Sequence, residues 1–288
     1  MVRRAGNTAN LLTFDIEGFI EASYDSVNVP QKYCSSRDEA HEILTNVEAI
    51  LDLLGESRQG ATFFILGRIA RDMPALVRRI AEGGHEIACH SLTHDRLFKF
   101  DRATTEERLR DAKRYLEDAS GGEVIGFRAP DFSIARKNLW VFDVLMELGF
   151  VYDSSIYPTH LHDVYGIGDF PRTTLRLPNG LVEVPLSTVS FFGQRIPFGG
   201  GGYLRLYPFP FTRLCFSALN FRGVPVIVYL HPFEMGKVVP RITELGALRK
   251  LRTYGGVAGA RSKLKKLLGA YRFVKVIDYL RQKGFTNE

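Results

Sequence analysis

Short apolar runs, each closed by a polar or charged residue, alternate along this chain with longer stretches that carry apolar positions at helical spacing. Residues 11–14 run into Asp15, 86–89 into His90, 124–127 into Arg128, 150–152 into Asp153 and 226–230 into His231. Between them the periodicity predicts helices over 39–54, stopped by Gly55, and from Pro74 to Gly83-Gly84. Further helices are predicted from a Thr104/Glu107 capping box to about residue 118, and over 138–148. Residues 61–66 and 181–186 read as further strands, and a last helix is expected over about 273–282. Strands joined by helical crossovers are parallel. In a (β/α) barrel the C-terminal strand ends converge on one face, whereas an open doubly wound sheet places ligands only near its switch point. Polar residues at the ends of about five strands therefore predict an α/β fold, a (β/α) barrel. Residues 158–222 are rich in Gly, Pro and aromatics and weakly periodic, and are expected as long loops over the barrel mouth. The whole chain, 1–288, is expected to be one catalytic domain with a basic helical tail from about 240.

Composition narrows the chemistry. With 288 residues, 45% of them hydrophobic, the core needs no disulfide or structural metal, so a bound metal is free to serve catalysis. Cys34, Cys89 and Cys215 form no CxxC pair and are expected as buried free thiols. The net charge of +6 thickens in 249–252 and 261–266. That pattern reads first as a solvated helix face, and second as a contact with anionic lipid headgroups or a phosphorylated substrate. No nucleic-acid motif accompanies the charge, so no nucleic-acid partner is expected. No signal-peptide core and no spanning apolar run is present, which leads to an expected location in the cytoplasm, at most at the inner membrane surface.

Asp15 and Glu17 stand two apart at a strand end and would share a side of an extended backbone, an arrangement that is costly without a cation or proton between them. His90 and His94 are four apart, which on a helical turn would let both rings grip one ion. With one carboxylate they make a two-histidine, one-carboxylate site with open positions, suited to a divalent transition metal. Arg128 can pair with a carboxylate, and His231 can serve as a general acid. Asp153 reads equally as a helix cap. His41 is expected to be exposed, His85 starts a strand, and His160 with His162 and Asp163 is a weaker metal candidate in a loop. The Gly199–Gly202 run lacks the lysine of a phosphate loop, but permits close backbone approach to a ligand.

In order, Thr13-Phe14-Asp15, His90-Ser-Leu-Thr-His94, Arg128-Ala-Pro130, Tyr152-Asp153-Ser154-Ser155 and Leu230-His231 resemble the motif series of the polysaccharide deacetylase family, with its NodB-type domain. The resemblance covers about residues 11–234. Glu183-Val-Pro-Leu-Ser187 and Gly200-Gly-Gly-Tyr203 are similar to the branch associated with exopolysaccharide export. The resemblance implies an irregular, commonly seven-stranded (β/α) barrel and one divalent ion, zinc first, with iron, cobalt, manganese or nickel as alternatives. It implies Asp15 as general base, His90 and His94 as metal ligands, Arg128 as the residue holding Asp15, and His231 as proton donor to the leaving amine. Leu230 would line a pocket for the acetyl methyl. Asp153 is counted with the catalytic group and Tyr203 with the substrate contacts. Two positions depart from the commoner pattern. Glu17 replaces the usual adjacent aspartate as third ligand. Asp131 stands where an aromatic is common, with its backbone N–H as oxyanion donor, and the aromatic's substrate contact is either lost or passed to Phe132.

The function expected from these readings is metal-dependent hydrolysis of an N-acetyl group on an amino sugar in polysaccharide, glycolipid or O-antigen biosynthesis. The partners expected are an N-acetylated saccharide and, peripherally, a membrane or lipid-linked substrate. An amide or imide hydrolase acting on a small nitrogen compound is the alternative enzyme. A binding module without activity is disfavoured, because candidates for base and ligands are all retained.

Overall fold

The computed structural model describes residues 8–21, 36–161 and 166–286, so Cys34, His162 and Asp163 lie outside the described residues. Its strands are β1 (Asn10–Ile16), β2 (Thr62–Ile65), β3 (Glu86–Cys89), β4 (Gly126–Phe127), β5 (Tyr152–Asp153), β6 (Leu175–Arg176), β7 (Val182–Glu183), β8 (Thr188–Phe191), β9 (Gln194–Pro197), β10 (Ile227–Leu230) and β11 (Phe273–Val274). Its helices are α1 (Ser36–Ser57), α2 (Gly67–Asp72), α3 (Pro74–Glu82), α4 (Arg102–Ser120), α5 (Val141–Glu147), α6 (Gly201–Leu206), α7 (Phe209–Asn220), α8 (Ala247–Tyr254), α9 (Val257–Ala270) and α10 (Val276–Gln282). The main sheet runs β10-β1-β2-β3-β4-β5-β7, all parallel, with β6 added antiparallel on β7 and β11 pairing the start of β1. Seven parallel strands thus follow one another in a curled, barrel-like sheet, as expected for an irregular (β/α) barrel.

Strand alternation sorts the side chains into two cores. Leu12, Phe14, Phe63, Ile65, Cys89, Val228 and Leu230 pack outward against the helices. Leu11, Phe64, Ala88, Tyr152, Val182, Ile227 and Tyr229 pack inward. Val276, Tyr279 and Leu280 of α10 join this inner cluster. Glu86 ties that end together, accepting from Thr62 Oγ1, Tyr152 Oη (2.8 Å) and the Ile277 N–H (3.1 Å).

The seam between β7 and β10 is closed by irregular chain. Ser187 Oγ accepts from the Ile227 N–H at 2.8 Å, and the Tyr229 N–H donates to the Gly199 carbonyl at 3.1 Å. Gly199 has φ +87° and lies against the Ile227 carbonyl, so a side chain there would be both strained and blocked.

Several expectations shift. Helix α4 begins at Arg102, capped by Asp101, whose Oδ1 accepts from the Thr104 N–H at 2.8 Å, so the Thr104 capping box is displaced by a better cap three residues earlier. The last helix starts at Val276, because Phe273–Val274 pairs with β1 as strand β11. The region 158–222 is loop over only about half of its described residues. It holds the β8–β9 hairpin, α6 and the twelve-residue α7. Phe209-Pro210-Phe211 hides the start of α7, where proline in the first turn is compatible with a helix.

Candidate metal centre and active site

β1 carries Asp15, and Glu17 follows one residue past its end. Thr13, Asp15 and Glu17 alternate with outward-facing Leu12, Phe14 and Ile16, so both carboxylates reach the inner side at the C-terminal end of the strand. β3 delivers His90 to the same end. The expected helical turn over His90–His94 is not formed. Ser91 takes φ +70°, and the segment bends instead, held by Gly67 N–H to the Ser91 carbonyl (2.8 Å) and Arg68 N–H to the Leu92 carbonyl (2.9 Å). The bend still brings the imidazoles together, with ring centres 5.8 Å apart.

Glu17, His90 and His94 form a three-residue cluster whose candidate ligand atoms all lie within 4.8 Å of one another. Glu17 Oε2 is 2.7 Å from His94 Nε2 and 3.5 Å from His90 Nε2. Glu17 Oε2 is buried, and the approaches to it lack hydrogen-bond geometry, so the three atoms face a common point instead of pairing off. His90 Nδ1 lies 2.8 Å from the Arg128 carbonyl. A carbonyl only accepts, so Nδ1 holds the proton and Nε2 keeps its lone pair toward the cluster. Two imidazole nitrogens and a buried, unsatisfied carboxylate oxygen fit a divalent transition ion. Burial opposes ionisation of Glu17, but the charge of His94 and the contacts of both rings bring it well below the usual carboxylate range. Burial also opposes the charge of His94, yet Glu17 raises its pKa to about 9.

Asp15 sits beside this cluster and is held from behind. Arg128, fully buried, donates from Nη1 to Asp15 Oδ1 (2.7 Å) and Thr13 Oγ1 (2.8 Å), from Nε to the Ser154 carbonyl (3.1 Å) and from Nη2 to Ser154 Oγ (3.0 Å). Its guanidinium lies 4.0 Å over the Phe64 ring. Asp153 stands one layer further back. It accepts from Ser155 Oγ (2.6 Å) and the Ser155 N–H (2.9 Å), and Ser155 Oγ in turn accepts from the Ala129 N–H (2.8 Å). Asp153 is fully buried and does not line the cavity, so its place is that of a brace for the Arg128 loop. Burial raises its pKa, and burial with the Asp153 charge raises that of the neighbouring Glu183 well above the usual range.

His231 approaches from β10. Its Nε2 is 3.3 Å from Glu17 Oε1, and its Nδ1 is 3.2 Å from Glu234 Oε2, which also accepts the His231 N–H at 3.0 Å. Arg205 of α6 donates to Glu234 Oε1 at 2.6 Å and to the carbonyls of Thr253 and Gly255. Burial disfavours charge on His231, but its bond to Glu234 and the Glu17 charge outweigh this and raise its pKa to about 9. Sequence reading missed Glu234 and Arg205. The spacing of three from His231 to Glu234 could have revealed the first. Arg205, the one cation of a short apolar helix, offered little signal.

Asp15, Glu17, His90, His94 and His231 line one cavity of about 500 Å³, together with Asp131, Phe132, Tyr203, Tyr229 and Arg252. Asp131 takes φ +50° and its Oδ2 accepts from Arg96 Nε at 2.8 Å. Leu230, expected at the acetyl pocket, is buried in the outer core. Alternation along β10 turns it toward the helices, and Tyr229 is the residue that lines the cavity. Of the glycine run, Gly201 and Gly202 reach the cavity wall, while Gly199 and Gly200 pack on β10. His41 and His160 are exposed and stand outside the cluster, and Cys89 and Cys215 are buried free thiols.

Residues 37–151 match the family described as polysaccharide deacetylase, and residues 154–281 match a domain family of unknown function, DUF3473. The chain is thus similar to polysaccharide deacetylases over residues 37–151. It is 35% identical over 117 residues to a chitooligosaccharide deacetylase of Sinorhizobium fredii, covering 40% of this chain and 51% of that protein. It is 34% identical over 123 residues to the enzyme of the same description from Rhizobium leguminosarum bv. phaseoli, covering 42% of this chain and 50% of that one. The chain thus spans about half the length of the curated relatives it matches. In fold it is similar to a Mycobacterium smegmatis protein described as a polysaccharide deacetylase (TM-score 0.66, 23% identity, 98% of this chain and 93% of that one). It is also similar to PuuE allantoinase (TM-score 0.65, 17% identity, 98% and 92%). The β4–β5–β7 pairing carries the sheet from one matched stretch into the other.

Proposed function

We propose that this protein removes the acetyl group from an N-acetylated amino sugar by hydrolysis, giving acetate and a free amine. One observation carries this reading: the Glu17, His90 and His94 cluster stands in a single cavity with the Arg128-held carboxylate of Asp15 and the Glu234-held ring of His231. Glu17, His90 and His94 would hold a divalent ion, with zinc the first candidate. Such an ion, when bound, polarises an amide carbonyl and lowers the pKa of water. Arg128 occupies Asp15 Oδ1 and leaves Oδ2 as the oxygen that takes the proton of the attacking water. The water oxygen adds to the acetyl carbon, and the backbone N–H of Asp131 would donate to the developing oxyanion. His231, charged through Glu234, delivers its Nε2 proton to the amide nitrogen as the C–N bond breaks. Acetic acid and amine leave, ionising to acetate and ammonium, and the proton on Asp15 passes through solvent to restore the charge of His231. Phe132, Tyr203 and Tyr229 supply aromatic faces on which a sugar ring can stack.

The placing of this reaction in the assembly of a polysaccharide, glycolipid or O-antigen, and in the branch tied to exopolysaccharide export, rests on the sequence resemblance. The test is release of acetate by the purified protein from soluble N-acetylated oligosaccharides, with each of several divalent metals supplied in turn. Ureides and cyclic imides belong in the same panel. Turnover of those alone, with every N-acetyl sugar untouched, would replace this reading by the small-amide alternative.

A further inference from the structure

The cavity mouth carries an apolar surface that the chemistry does not use. Leu161 and Leu206 line the cavity yet are 52% and 50% exposed. Leu251 of α8 adjoins Leu206, since Leu251 Cδ1 and Leu206 Cδ2 both lie within about 3 Å of a side chain that would be built at Gly255. Leu251 is 59% exposed and Leu248, three residues earlier, is 80% exposed. At 100° per residue these two leucines share one face of α8, and that face is opposite Thr253, the helix's buried residue. The helix is therefore amphipathic with its apolar side turned away from the protein. On the rest of its surface stand Arg249, Lys250 and Arg252, and Arg252 reaches the cavity.

The sequence around it is one-sided in charge, although Lys265 pairs with Glu56 and Lys275 with Asp278. Between Glu244 and Asp278 the sequence has nine Lys or Arg and no carboxylate. A protein partner with a mixed surface would not call for this combination. An interfacial helix does: leucines enter the headgroup boundary while cations meet anionic lipid. No helix among the described residues is long and apolar enough to cross a membrane, so the contact is peripheral.

We infer that α8, with Leu206 and Leu161, docks the cavity mouth onto an anionic lipid bilayer. Docking turns the Glu17, His90 and His94 cluster toward the lipid surface and favours a sugar presented from it. That last step rests on the deacetylase reading, whereas the docking does not.

Co-sedimentation of the full chain with vesicles tests it. Vesicles of phosphatidylcholine mixed with phosphatidylglycerol should bind the protein on the order of tenfold more tightly than phosphatidylcholine alone, and added salt should weaken the binding. Leu248→Ser with Leu251→Ser, and separately Arg249→Gln with Lys250→Gln, should each abolish most of it. The leucine pair should leave acetate release from a soluble sugar unchanged. The inference is overturned by equal binding to both vesicle types, by no binding, or by variants that bind like the parent. It is equally overturned if sedimentation velocity shows a dimer that the leucine pair dissociates, because a second copy would then cover this face. Vesicle binding without turnover of any N-acetyl sugar would sink the proposed reaction and leave the docking standing.

Discussion

Arg128 meets Asp15 from the closed side of the barrel, Nη1 to Oδ1 at 2.7 Å, with no solvent reaching the guanidinium. The same side chain is spent on Thr13 and on the carbonyl and hydroxyl oxygens of Ser154, so one arginine aligns the base and ties β1 to the residue after β5. Lysine, a point donor, cannot make this planar set of contacts. Arg128→Lys should lower turnover roughly ten- to a hundredfold. Arg128→Met should go further and leave a buried carboxylate unpaired, costing about 3–5 kcal/mol of stability. Urea denaturation reads the second effect, and an unchanged midpoint in Arg128→Met would show that the pair does not hold the fold.

The ligand assignment separates from the acid–base assignment. His90→Ala, His94→Ala and Glu17→Ala should each deplete bound divalent metal, measured by mass spectrometry after dialysis. Asp15→Asn and His231→Ala should retain most of it while losing about two to four orders of magnitude in turnover. Full metal content in Glu17→Ala would remove the carboxylate from the ligand set and leave its buried oxygen unexplained.

Much of this was legible in the sequence because strand periodicity and site chemistry coincide. A buried strand that ends in a charged residue announces both a sheet and a mouth, which is how Asp15, His90, Arg128 and His231 could be placed before any coordinates. Leu230 went astray by one position, and a one-residue step flips a strand residue to the other face. Asp153 went astray because a strand end brings a residue near the mouth without deciding how deep its side chain lies. The His90–His94 turn could not be foreseen, since a left-handed Ser91 depends on contacts with Gly67 and Arg68 from another segment. Arg205 was invisible because its carboxylate partner lies twenty-nine residues away.

Glu42 should give the protein a pH-dependent weakness distinct from catalysis. Burial pushes its carboxyl from the ordinary 4.5 up to about 7, and the bonds from the Phe19 N–H (2.9 Å) and Asn46 offset this only in part. Below the unfolded value both states hold the proton. Between the two values only the folded state does, so stability falls as pH rises through about 4.5 to 7 and is level above. Glu42→Gln cannot ionise and keeps an acceptor for Phe19. Relative to the parent it should gain up to about 3 kcal/mol across that window. Melting curves of both proteins on either side of the window check it, and a parallel pH dependence in the two would rule the assignment out.

Glu234 should matter to turnover through His231. Glu234→Gln retains an acceptor for the His231 N–H but removes the charge that keeps the ring protonated, and should lower turnover about ten- to a hundredfold without loss of metal. Gly201 offers an independent route to the same lesion. A methyl group at Gly201 would fall inside the Glu234 carboxylate, so Gly201→Ala must push that carboxylate off the ring. Gly201→Ala should therefore reproduce the turnover loss of Glu234→Gln, again with metal content intact. Because both act through one group, the double variant should be little worse than either single one. Losses that multiply in the double variant would mean that Gly201 serves the substrate wall and not the placing of Glu234.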